Sequence, residues 1–178
     1  MIIDFSCHYI SDRVGKIMAK GKWYGPGNMM EYPAQNADPE ARLALMEKYG
    51  VDMQALTQTA PVIIGFNAKE SAEICRLSND DNYALCKAYP KKFVNICFFS
   101  LQDMRSAMKE LERAVKELDC RGITLGSNQN GKGLDSEKFY PFYEKAVEYD
   151  LPIFIQEAKF NPRIRHGGLV FHYLYGLA

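Results

Sequence analysis

Met1-Ile2-Ile3-Asp4-Phe5-Ser6-Cys7-His8-Tyr9-Ile10 opens the chain and decides how the rest is read. A short apolar, β-branched run stops at Asp4, Ser6, Cys7 and His8. That is the pattern of a buried strand whose C-terminal end opens into a polar site. Alternation with period two places Asp4, Ser6 and His8 on one side of the strand, and Phe5 and Cys7 on the other. If the strand lines a barrel, Ser6 and His8 point at whatever is bound in the mouth, and Cys7 turns toward the surrounding helices as a core thiol.

Working outward, residues 11–37 read as a long irregular loop holding Gly15, Gly21, Gly25, Pro26, Gly27, Pro33 and the only tryptophan, Trp23. Loops of this length inside a domain are usually lids or binding loops. Asp38-Pro39 opens a helix as cap and first turn, and Tyr49-Gly50 closes it. A strand over 51–57 follows. Asn67 caps a long helix to about 89, which Pro90 ends. Residues 93–99 form a third, almost wholly apolar strand, covered on both faces. Met104, Ala107, Met108, Leu111, Val115 and Leu118 follow the 3.6-residue period of an amphipathic helix. Residues 122–125 make a fourth strand, 126–133 a loop of turn formers, 136–150 a helix and 151–156 a fifth strand. The repeated β-loop-α order with non-alternating strands predicts an α/β fold with a parallel sheet, outer helices and functional groups on the loops after the strands. No boundary divides it, so residues 1–178 read as one domain with a tail at 157–178.

Composition narrows the function classes. With 178 residues the chain has room for one real core. Lys and Arg total 22 against 22 Asp and Glu, so no bulk field recruits nucleic acid or an anionic membrane. No apolar run reaches the roughly 18–20 residues needed to span a bilayer. Five cysteines, an odd number with no CxxC pair, read as reduced core thiols in a cytoplasmic protein.

Motifs along the whole chain then point one way. Ile3-Asp4-Phe5-Ser6-Cys7-His8 resembles the I-D-x-H-x-H opening of the amidohydrolase-related proteins, in their aminocarboxymuconate-semialdehyde decarboxylase-like branch. Asn79-Asp80, Tyr89-Pro90-Lys91-Lys92-Phe93 and Glu110-Leu111-Glu112-Arg113-Ala114 resemble further signals of that branch. So do Gly122-Ile123-Thr124-Leu125-Gly126-Ser127-Asn128, Gly131-Lys132, Leu134-Asp135, Phe139-Tyr140-Pro141-Phe142-Tyr143-Glu144 and Leu151-Pro152-Ile153-Phe154-Ile155. The resemblance runs from about residue 1 to 156. It implies a (β/α)₈ TIM-type barrel, of which this chain would supply about the first five βα units. It also implies a divalent metal, Zn²⁺ or Mn²⁺, at the C-terminal mouth and decarboxylase- or hydrolase-like chemistry on a small carboxylated, aromatic or unsaturated substrate.

Two positions depart from the pattern. Ser6 stands where the family has its first histidine and Gln156 where it has the histidine ending the fifth strand, so only His8 matches a metal ligand. Serine and a neutral amide are weak ligands for Zn²⁺, and the metal is expected to be absent from this chain. His8 is the candidate ligand or acid/base, against a hydrogen-bonded residue at a strand end. Glu157 is a candidate oxygen donor or base, against a solvated loop acid. Arg163 and Arg165 could clamp a carboxylate, against exposed charge. Asn128 and Asn130 would touch substrate if the 126–133 loop lies at the mouth, against a plain tight turn. His166 and His172 stand six apart and form no metal pair on a helix.

Five strands do not close an eight-stranded barrel, and an open parallel edge exposes backbone groups and apolar surface. Either the chain is a fragment, or a second copy or complementary half-barrel subunit covers the open side. Two functions follow: an enzyme working with such a partner, or a non-catalytic structural or regulatory subunit that has lost the metal site.

Overall fold

Every predicted strand forms, and each one runs parallel to its neighbours. The computed structural model describes residues 1–18, 38–58, 63 and 66–156. The elements in order are β1 (Ile3–His8), α1 (Asp12–Met18), α2 (Pro39–Tyr49), β2 (Met53–Thr57), α3 (Ala68–Ala88), β3 (Phe93–Asn95), β4 (Cys97–Phe99), α4 (Met104–Glu117), β5 (Ile123–Gly126), β6 (Asn128–Gln129), β7 (Lys132–Gly133), α5 (Tyr140–Glu148) and β8 (Ile153–Gln156).

β1, β2 and β3 form one parallel sheet and β4, β5 and β8 another. The two join through Ile96. Its amide donates to the Leu56 carbonyl at 3.1 Å, while Cys97 donates to Gly122 and Arg121 to Asn95, both at 2.9 Å. The third strand of the sequence reading is thus split: its first half pairs back to β2 and its second half forward to β5. That handover bends the wall, as a closing barrel requires. The architecture is α/β, a partial barrel with parallel strands and helices outside.

The helices begin and end where their side chains say they should. Asp38 accepts from the Glu40 amide ahead of Pro39, and Gly50, at φ 68, closes α2. Asn67 and Glu70 form a reciprocal capping box on α3. Asp103 accepts from the amides of Arg105 and Ser106 at the start of α4. The core lies on the helix side of the wall. Ile123 and Leu125 pack with Leu111, Ala114 and Phe142, and Leu56 and Phe93 with Met46 and Leu85.

Three expectations need correction. Residues 11–37 do not begin as an irregular loop, because Asp12–Met18 is helical and buries Val14 against Ile74 and Phe98; the rest of that stretch lies outside the described residues. The 126–133 stretch is no simple loop either. β6 and β7 pair antiparallel around Asn130 and Gly131, whose φ values of 53 and 83 suit a tight hairpin turn.

The third correction concerns period two in β1. Asp4 aligns with Gln54 and Cys7 with Leu56, so Phe5 and Ser6 together face one residue of β2. This is a β-bulge, and Ser6 takes φ 72 to make it. Phe5 and Ser6 therefore both turn to the inner face, while Cys7 is buried on the other side, as expected.

Candidate functional site at the strand ends

The inner face is set by β8. Ile153 packs into the helix-side core, so Phe154 and Gln156 point the other way. There the Phe5 and Phe154 rings meet at 4.3 Å between centroids, tilted by 45°. One layer nearer the mouth, Gln156 Nε2 donates to Ser6 Oγ at 2.6 Å. Beneath these, a Cβ on Gly122 would lie 3.1 Å from Phe154 Cε2 and 3.2 Å from Ile96 Cδ1, so glycine leaves room for the ring. Thr124 aligns with Phe154 on β8. Its hydroxyl is fully buried and has no hydrogen-bond partner among the described residues.

His8 ends β1 opposite Thr57. Its Nδ1 and the Thr57 Oγ1 share a 3.2 Å hydrogen bond. The imidazole pKa is lowered, first by burial and then by the Arg42 charge. Neutral imidazole is thus the favoured form near neutral pH. Arg42 reaches this point from α2 although it is itself only 4% exposed. One guanidinium nitrogen donates to the His8 carbonyl and another to Gln54 Oε1 at 2.9 Å. Gln54 passes a further hydrogen bond to Asp4, at 3.2 Å. The arrangement holds the end of β1 from the helix side and leaves the imidazole on the inner face.

The donor chemistry at this mouth can now be tested against a divalent metal. His8, Ser6 and Gln156 offer one imidazole, one hydroxyl and one carboxamide, and the last two are hydrogen-bonded to each other. Among the described residues no three of His, Cys, Asp or Glu come together. Zn²⁺ and Mn²⁺ centres are built from three or more imidazole, thiolate or carboxylate ligands. The described set does not fit one.

The other sequence candidates divide. Asn128 lies in β6, where its Oδ1 accepts from the Gly131 amide at 3.0 Å and shapes the hairpin turn. Asn130 is exposed at the tip of that turn. Glu157, Arg163 and Arg165 lie outside the described residues, as do His166 and His172.

The sequence offered no site role for the buried polar residues Arg42, Thr57, Asn79 and Gln129. Gln129 anchors the hairpin by accepting from the Leu101 amide at 2.8 Å and donating to the Gly126 carbonyl at 3.3 Å. Arg42 had a signal, standing four residues before the buried Met46 and hence on the same face of α2. Gln129 had none, because its neighbours in sequence are turn formers.

Comparison with known proteins extends the picture. A model of the amidohydrolase family matches residues 3–171. A 2-amino-3-carboxymuconate-6-semialdehyde decarboxylase of Dictyostelium discoideum is 31% identical over 142 residues, covering 79% of this chain and 38% of that protein. A γ-resorcylate decarboxylase of Rhizobium radiobacter is 29% identical over 65% of this chain and 38% of its own length. Among solved structures, 5-carboxyvanillate decarboxylase from Sphingomonas paucimobilis superposes with TM-score 0.80 at 24% identity, over 92% of this chain and 53% of that one. The 5-carboxyvanillate decarboxylase of Novosphingobium aromaticivorans, solved with bound manganese, gives 0.76 at 25% identity over 87% and 50%. The chain spans well under half the length of these curated relatives and about half of each solved neighbour.

Proposed function

The chain belongs to the amidohydrolase family, and from that premise we propose that it forms one side of a decarboxylase-like barrel acting on a small carboxylated aromatic or unsaturated acid. The observation that carries this reading is His8. It is a neutral, half-buried imidazole held at the C-terminal end of the first strand, on the inner face, where barrel enzymes place their chemistry. There it accepts a hydrogen bond or a proton from a bound acid or phenol, while Thr57 and Arg42 fix its position.

A second copy or a complementary half-barrel covers the outer strands. Ile3, Phe5 and Ile155 are 48%, 43% and 52% exposed along β1 and β8, the outermost strands of the two sheets, and suit such cover. Zn²⁺ or Mn²⁺ is absent from this chain on its own. Asn128, Asn130, Arg163 and Arg165 contact the substrate, and Glu157 assists as a base. Free thiols at Cys7, Cys75, Cys86, Cys97 and Cys120 suit a reducing, cytoplasmic setting. Among the described residues no helix is long and apolar enough to cross a membrane.

A second reading, a non-catalytic subunit, is favoured by the Ser6–Gln156 hydrogen bond, which engages two inner-face side chains with each other instead of with a ligand. One assay separates the two. CO₂ release from γ-resorcylate or 5-carboxyvanillate that disappears in His8→Ala supports the enzyme. A folded chain with no turnover of either acid, with or without added Mn²⁺, supports the subunit.

A further inference from the structure

We infer that the mouth ends of β1 and β8 are joined by a hydrogen-bonded clasp, Gln156 to Ser6, which stands in place of a divalent metal centre. The clasp is read from geometry; that its position is a metal position rests on the functional reading above.

β1 and β8 belong to different sheets, and no backbone ladder runs between them. Side chains tie these two strands in two layers, the Phe5–Phe154 ring pair and the Ser6–Gln156 hydrogen bond. The bulge makes both layers possible, since in an unbroken strand Phe5 and Ser6 would face opposite ways. Ser6 holds a left-handed backbone to achieve this, at φ 72. Such a conformation persists in a non-glycine residue only where surrounding contacts enforce it.

The chemistry of the pair is neutral throughout. The Ser6 hydroxyl accepts one amide hydrogen of Gln156, and neither group carries charge to attract a cation. His8 Nδ1 is already engaged with Thr57. A hydroxyl–amide pair needs no ion to draw it together and does not titrate, so the clasp holds whether or not metal is present.

Three measurements on the full 178-residue chain test this. Thermal unfolding with EDTA, with Zn²⁺ and with Mn²⁺ is expected to give the same Tm, and calorimetric titration of either ion no stoichiometric binding. A stoichiometric site with a raised Tm overturns the proposal. Ser6→Ala and Gln156→Leu are each expected to lower Tm by about 1–3 °C, and the double variant by no more than the larger single loss. Strict additivity overturns the clasp. Finally, Ser6→His with Gln156→His adds two imidazoles beside His8 and is expected to confer stoichiometric Zn²⁺ binding with a raised Tm. A double variant with native circular dichroism and no Zn²⁺ affinity overturns the assignment of the position. None of these readouts uses decarboxylation, so failure of the functional reading shows in the CO₂ assay and leaves them standing.

Discussion

Asn79 of α3 holds Phe98 of β4 by both of its backbone groups. Oδ1 accepts from the Phe98 amide at 2.7 Å and Nδ2 donates to the Phe98 carbonyl at 3.1 Å. The same Nδ2 donates to Glu110 of α4 at 2.9 Å. A fully buried carboxamide thus joins two helices to the wall. Asn79→Ala leaves the amide and carbonyl of Phe98 unpaired and is expected to cost about 2–4 kcal/mol in urea unfolding. Asn79→Asp is expected to cost more, because its carboxylate would face both the Phe98 carbonyl and Glu110.

Arg42 offers a second test. Arg42→Met keeps much of the volume but removes the donors to His8 and Gln54. Two acceptors lose their partner, and stability is expected to fall by about 2–3 kcal/mol. The His8 pKa is then expected to rise, since the Arg42 charge is one of its two depressing influences. It stays below 6.5, because burial, the larger cause, remains. NMR titration of the imidazole protons reads both the direction and the limit.

Strain at Ser6 sets two small substitutions apart. Ser6→Ala loses the hydrogen bond to Gln156 and keeps the left-handed backbone. Ser6→Gly loses the same bond but relieves a conformation that costs a side-chain-bearing residue about 1–2 kcal/mol. Glycine is therefore expected to be the more stable variant by about 1 kcal/mol in denaturant unfolding. Alanine equal to glycine would show that the bulge carries no strain.

Acid stability has an identifiable contributor in Asp103. Its carboxylate pKa is held below 3.8, chiefly by the Ser106 hydroxyl and then by the amides of Arg105 and Ser106. A depressed carboxylate contributes fully above its unfolded pKa and loses that contribution as pH falls through the folded value. Asp103→Asn keeps a capping oxygen and removes the titration. The variant is expected to show a shallower fall of stability below about pH 4 than the parent. Urea midpoints across pH 2–6 make the comparison.

The architecture was legible because its signals are local and redundant. Asp38-Pro39, Asn67 and Gly50 each bound a helix through short-range hydrogen bonds, so reading them requires no tertiary knowledge. The five apolar strand segments separated by helices imposed parallel order for the same reason. The site was only half legible. His8, Ser6 and Gln156 stood out through family spacing, but their mutual geometry depended on the bulge. Nothing in Asp4-Phe5-Ser6-Cys7 distinguishes a regular strand from one with an extra residue, since bulging depends on register with Gln54 and Leu56. Asn79 was noticed only as part of a motif; its role rests on Phe98, 19 residues away.

The split of the third strand at Ile96 has a consequence for how the molecule assembles. The pairings that build the two sheets, such as Ile3 with Met53 and Ile123 with Ile153, span far less chain than the 150 positions between Gln156 and Ser6. Loop-closure entropy makes that meeting the most demanding contact in the wall, and it is rewarded only once both sheets stand. The Phe5–Phe154 ring pair therefore belongs to the end of folding. A fluorescent reporter introduced as Phe154→Trp would follow the last kinetic phase, after the helices have docked, and the mouth would come into being only in the finished molecule.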